Sequence, residues 1–200
     1  MATTHLLIRA GMIVTSLAVA TLPVIASAAS STANTTINAN VGSAISITTS
    51  GTVTVTLTPT SGGVVSSAGD TVTVNTNNAL GYVLTLSDSN TVTDLTSGAN
   101  TIAAHSGTFG SPTALGNGTW GYRIVNAGGF GAGAYSAETN NGASTSTWAG
   151  VPSSTTPSTI KTTSSSATND VTTVWYGVKA NSSQANGTYT DTVTYTATTN

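Results

Sequence analysis

The chain has 200 residues, a formal net charge of −2 and only 5% charged residues, against about 25% in ordinary soluble domains. Lys and Arg together number 4, too few to neutralise a phosphate backbone or hold an anionic membrane surface, which excludes nucleic-acid readers and electrostatic membrane binders. There is no cysteine, so disulfides, thiol catalysis and thiolate metal centres are excluded, and no residue pattern calls for a cofactor.

The first segment reads as a secretory signal peptide. Arg9 is the only charged residue before Asp70, and it precedes an apolar run from Gly11 to Ile25. Pro23 breaks that helix just ahead of Ala26-Ser27-Ala28, a small-residue pattern that predicts cleavage between Ala28 and Ala29. The run approaches spanning length, so an uncleaved anchor is the alternative. Residues 29–42, polar apart from a few small residues, Ile37 and Val41, read as a flexible leader or a first edge strand.

From Ile45 the chain alternates with a period of two, the mark of half-buried strands. Ile45 and Ile47 share one face. Val53, Val55 and Leu57 share another, with Thr52, Thr54, Thr56 and Thr58 opposite, and Pro59 to Gly63 predicts the turn that ends the strand. Val64-Val65 and Val72 with Val74 predict two short strands separated at Gly69-Asp70. Tyr82, Leu84 and Leu86 mark one face of a strong strand over 81–88. The chain then loosens over 89–118, until Asn117-Gly118 signals a hairpin-type turn into Trp120, Tyr122 and Ile124. Residues 126–170 are irregular, with a glycine-rich stretch from Gly128 to Tyr135 and a Ser/Thr run from Ser153 to Ser166. Regular strands return over 171–180 and 188–198. In the latter, Tyr189, Asp191, Val193, Tyr195 and Ala197 alternate with threonines.

Richness in Thr, Val and Ile, with turns supplied by Gly and Asn, and no helical periodicity beyond Ala28 predict an all-β protein. The expected architecture is an antiparallel β-sandwich, Ig-like or jelly-roll, preceded by the signal-peptide helix. A single domain over 43–200 carries the irregular 126–170 region as an elaborated loop.

The closing run Gly187-Thr188-Tyr189-Thr190-Asp191-Thr192-Val193-Thr194-Tyr195-Thr196-Ala197 resembles the last strand of spore-coat-U-type archaic pilins, which are Ig-like subunits. A wider set is similar to exported surface proteins of small-genome candidate-phylum (Saccharibacteria-like) bacteria. It comprises Asn77-Asn78 with Gly81-Tyr82 and Leu84, Trp120-Gly121-Tyr122-Arg123, Trp148-Ala149-Gly150-Val151-Pro152 and Val174-Trp175-Tyr176-Gly177-Val178. The resemblance implies a β-sandwich outside the cell, at its surface.

Catalytic parts are scarce. Beyond the signal segment His105 is the single histidine, and no G-x-S-x-G elbow accompanies it. Glu138 and Asp170 are the acids nearest to a glycosidase pair, without a recognisable motif. Asp88-Ser89-Asn90 with Asp94 offers calcium-type oxygens but reads first as turn chemistry. Lys179 and Asp191 on neighbouring strands predict a cross-strand salt bridge. Trp120, Tyr122, Trp175, Tyr189 and Tyr195 are expected in the core, and Gly187-Thr188-Tyr189 resembles a tyrosine corner. Phe130, Tyr135 and Trp148 lie in the irregular loop, where exposed rings would form a sugar- or protein-binding surface. The expected function is a secreted or cell-surface structural or adhesive module without catalytic activity, its partners surface glycans or other surface proteins. The alternatives are a carbohydrate- or protein-binding domain using the 126–152 loop, and a pilin-like subunit that assembles by strand donation from the leader.

Overall fold

A computed structural model describes residues 28–200; the expected signal helix and most of the region around its cleavage point lie outside them. Residues 28–40 belong to a unit separate from Val41–Asn200. They form no strand and are exposed.

Among the described residues the secondary structure is all β, in eleven strands. The strands are β1 (Ile45–Thr48), β2 (Val64–Thr76), β3 (Tyr82–Asp88), β4 (Leu95–Ser97), β5 (Asn100–Ala104) and β6 (Thr113–Ala114). They continue with β7 (Thr119–Ile124), β8 (Thr147–Trp148), β9 (Ser158–Thr162), β10 (Ala167–Ala180) and β11 (Val193–Thr199). A six-stranded sheet has the order β1-β2-β10-β7-β5-β4 and is curled into a half-barrel. A three-stranded sheet has the order β11-β3-β9, and β6 pairs with β8.

The large sheet departs from the expected antiparallel pattern. β5 runs parallel to β7, with Ala103 opposite Thr119 and Ala104 opposite Trp120. A parallel pair needs a crossover rather than a tight turn. Residues 105–118 supply it. Asn117-Gly118 does turn, with φ of 72° at Gly118, but it joins β6 to β7, which pair with different neighbours.

Two further boundaries differ from the sequence reading. The strands expected on either side of Gly69-Asp70 are one 13-residue strand. β10 offers a 14-residue partner that pairs Trp175 with Gly69 and Val174 with Asp70. The indole of Trp175 lies over Gly69, 3.2 Å from where a Cβ would stand, so the missing side chain is covered by its neighbour. The segment 52–58 keeps its alternation: Val53, Val55 and Leu57 are half-buried between exposed threonines. It nevertheless joins no ladder. Gly51, with φ of 86°, turns the chain away after Ser50 is tied to Asp70 and Thr71. Periodicity reports which side chains face inward; a ladder also needs a partner backbone within reach.

The core draws on both larger sheets. Val72, Val74, Tyr122 and Val174 come from one, and Tyr82, Leu84, Leu86 and Ile160 from the other. The Tyr176 and Tyr195 hydroxyls meet at 2.6 Å, joining β10 to β11. Before β11, the Tyr189 hydroxyl donates to the Ala185 carbonyl at 2.7 Å, the back-bond of a tyrosine corner.

Candidate functional site

The loop between β7 and β8 covers an edge. The first half of β2 has β10 on one side, and its other side is taken by residues 138–141. Val65 and Asn141 exchange two backbone bonds of 3.0 and 2.8 Å, and the Ser67 N–H donates to the Glu138 carbonyl at 2.9 Å. The buried hydroxyls of Ser66 and Ser67 accept the Asn140 and Glu138 N–H groups, each at 2.9 Å. An uncovered strand edge invites foreign pairing, and this loop blocks it.

The three loop aromatics do not form the expected solvent-facing surface. Trp148 is completely buried and Phe130 nearly so. Phe130 meets Tyr122 and Phe109 edge-on, in the main core. Tyr135, half-buried, packs edge-on against both Trp148 and Trp175. The Arg123 guanidinium lies 4.1 Å from the Tyr135 ring centre and 5.9 Å from that of Trp148, a cation–π stack that shields the charge inside the loop. The loop folds back because its rings carry more apolar area than a glycine-rich backbone can leave in water.

Glu138 holds this arrangement by hydrogen bonds. Its carboxylate accepts from Tyr135 (3.3 Å), from Asn141 Nδ2 (2.8 Å) and from the Ser146 hydroxyl. Burial pushes its pKa up, but the donors, Ser144 and Ser146 first, outweigh that and hold the carboxyl below its ordinary value. Tyr135 is pushed up to about 12, chiefly by burial. Asp170, the other acid singled out, sits in a separate network on β10, ion-paired with Lys161 and accepting from the Tyr82 hydroxyl at 2.8 Å. Burial raises it, and the bonds from Lys161 and Tyr82 bring it below the ordinary carboxylate range. Each carboxylate is engaged by its own donors.

His105 lines a shallow cleft of about 450 Å³ with Thr91, Thr93, Phe109, Pro152 and Ser158. Its Nε2 is 2.8 Å from the Thr113 hydroxyl, and burial lowers its pKa. The cleft walls are hydroxyls, backbone and the rings of His105, Phe109 and Pro152, a surface able to exchange hydrogen bonds with a polar solute. The expected Lys179–Asp191 bridge does not form: Lys161–Asp170 is the ion pair among the described residues. Asp191 instead faces Asp88, whose side chain is fully buried. No three His, Cys, Asp or Glu residues converge into a metal cage among the described residues.

The outer edge of β11 is open. Thr192 and Asn200 bond Ser89 and Gly81 of the β3 side, and the register pairs Thr194, Thr196 and Thr198 with Ser87, Thr85 and Val83. By antiparallel alternation the N–H and C=O groups of Val193, Tyr195, Ala197 and Thr199 therefore point the other way. Among the described residues no strand is hydrogen-bonded to that side, although β1 lies close to β11 without pairing with it. The unladdered residues 52–57 make no backbone hydrogen bond either. Composition alone does not reveal such an edge, since it depends on which strand ends the sheet. No protein-family model, curated protein or solved structure matches the chain.

Proposed function

We propose that this chain is an exported structural or adhesive module without catalytic activity, built as a β-sandwich of the Ig-like or jelly-roll kind, that associates through a sheet edge rather than a pocket. The observation that carries this is the free edge of β11, four residues presenting unpaired backbone groups beside a half-buried apolar face. Such an edge accepts an extended segment by main-chain bonding. Residues 29–42 of a second copy have the matching pattern. Ile37, Ala39 and Val41 fall in one phase, and Ile37 and Val41 are 82% and 84% exposed. The sandwich reading is supported by one core shared between the two larger sheets and by the Tyr176–Tyr195 bond between them.

The test is sedimentation velocity of the purified chain over a wide concentration range, with Ala197→Pro alongside. Proline at 197 deletes one outward N–H and leaves the bonds to β3 in place. We expect concentration-dependent association of the parent, reduced in Ala197→Pro at an unchanged melting temperature. A parent that stays monomeric at every concentration refutes assembly through this edge.

A further inference from the structure

Asp88 ends β3 in the same inward phase as Tyr82, Leu84 and Leu86, and it is 0% exposed. Its Oδ1 accepts the Asn90 N–H at 2.8 Å, while Oδ2 is buried with no partner. The register places Val193 opposite Asp88, so Asp191 is the diagonal neighbour on the same face. Asp191 is arranged alike: Oδ1 accepts the Thr192 N–H at 2.7 Å, and Oδ2 is buried without a donor. The two carboxyl groups lie within hydrogen-bonding range of each other. Asp94, whose Oδ1 accepts the Ala104 N–H at 3.3 Å, is the other group whose charge reaches Asp191, and it too is acidic. Among the described residues no cation stands close enough to offset them. Lys161 is bound to Asp170, Arg123 is stacked on Tyr135, and Lys179 stands in β10 opposite Thr119 and Val65.

Two ionised carboxylates in contact repel, and a buried acceptor without a donor is costly. One proton between them removes both penalties. A metal ion would do the same, but no third His, Cys, Asp or Glu converges here to complete its coordination.

We propose that Asp88 and Asp191 share one proton, forming an acid clasp that pins the start of β11 to the end of β3 and opens when the proton leaves. Burial first, then the bond to Asp88, push the Asp191 carboxyl up to about 6. The clasp is therefore closed in mildly acidic surroundings and open at neutral pH. β11 is an edge strand with ladder bonds on one side only, so the docking of its start follows pH. The inference does not depend on the association proposed above, and neither of its readouts involves oligomerisation.

The experiment follows the melting temperature of the purified chain from pH 4.5 to 8, together with carbon-13 NMR titration of the Asp191 carboxyl. The parent should lose about 2–4 °C or more as pH rises through 6, with an Asp191 midpoint near 6. Asp191→Asn supplies a fixed N–H donor to Asp88, and Asp88→Asn supplies one to Asp191. Both variants should flatten the profile and match or exceed the parent at pH 8. A parent profile that is flat or rising between pH 5 and 7.5, or an Asp191 midpoint near the ordinary value of about 3.9, overturns the clasp. So does calcium at neutral pH restoring the acid-side melting temperature in the parent alone, which would make the pair a cation site.

Discussion

Gly177 shows how tightly single positions are specified in the loop-covered half of the sheet. It faces the Trp148 indole so closely that a Cβ would stand 2.5 Å from the ring, nearer than side-chain carbons approach. Trp148 has no room to yield. It is fully buried and boxed by Tyr135, by Arg123 and by the β6–β8 pairing of Thr113 with Trp148. Gly177→Ala should therefore overpack the site and cost about 1–3 kcal/mol. Equilibrium urea unfolding measures it, and an unchanged midpoint would mean that the indole moves freely. Gly62 is the control, since an added Cβ there meets nothing within 4 Å.

At the scale of elements, the 126–152 loop is tied to β2 by three backbone bonds and two serine hydroxyls, and the Glu138 carboxylate braces the loop from within. Removing the carboxylate in Glu138→Ala leaves the Asn141 and Ser146 donors without this acceptor, at a cost of about 1–3 kcal/mol, while the Tyr135 hydroxyl keeps Ser67. The same change removes the internal brace of residues 138–146, the stretch whose backbone covers Val65 and Ser67. Limited proteolysis should then cut between Gly128 and Ser146 faster than in the parent, with the β-sheet circular dichroism retained. Equal cleavage rates would show that backbone pairing alone secures the loop. Much of this level could be read in the sequence. The inward phases of Tyr82-Leu84-Leu86 and Trp120-Tyr122-Ile124 follow from alternation, and those side chains are buried. Pairing could not be read this way: periodicity is the same for laddered β1 and for unladdered 52–58, because it depends only on the facing of side chains. The loop rings were misplaced for a related reason. A glycine-rich stretch looks exposed until something folds over it, and that something is made of distant residues such as Trp175 and Arg123. The acid clasp was legible in principle. Asp88 and Asp191 each continue an inward apolar phase, and an acid in such a phase has to be neutralised.

For the molecule as a whole, these charges act on stability in opposite directions. Glu138 and Asp170 are held below their ordinary values in the folded chain. An unfolded carboxyl binds protons more readily than these two, so their contribution is present above the unfolded values of about 4 and is lost as pH falls through the folded ones. Asp191 is raised to about 6. Here the folded chain binds the proton more readily, so its contribution is complete below about 4 and disappears as pH climbs through 6. The only histidine among the described residues, His105, is lowered by burial. Between its folded and unfolded values the unfolded chain takes up the proton, which disfavours the fold as pH drops below about 6.5 and partly opposes Asp191. Its partner is a single hydroxyl and its cleft is open to water, so we expect the acid pair, with both Oδ2 atoms buried and no counter-charge among the described residues, to dominate. Stability should then peak between about pH 4 and 6, at the acid end of the usual range of about 5 to 8. Calorimetric scans across pH 3–9 check this. His105→Gln should shift the maximum further toward acid by removing the opposing term, whereas Asp191→Asn should move it toward neutrality; a maximum at pH 7 or above in the parent contradicts the assignment.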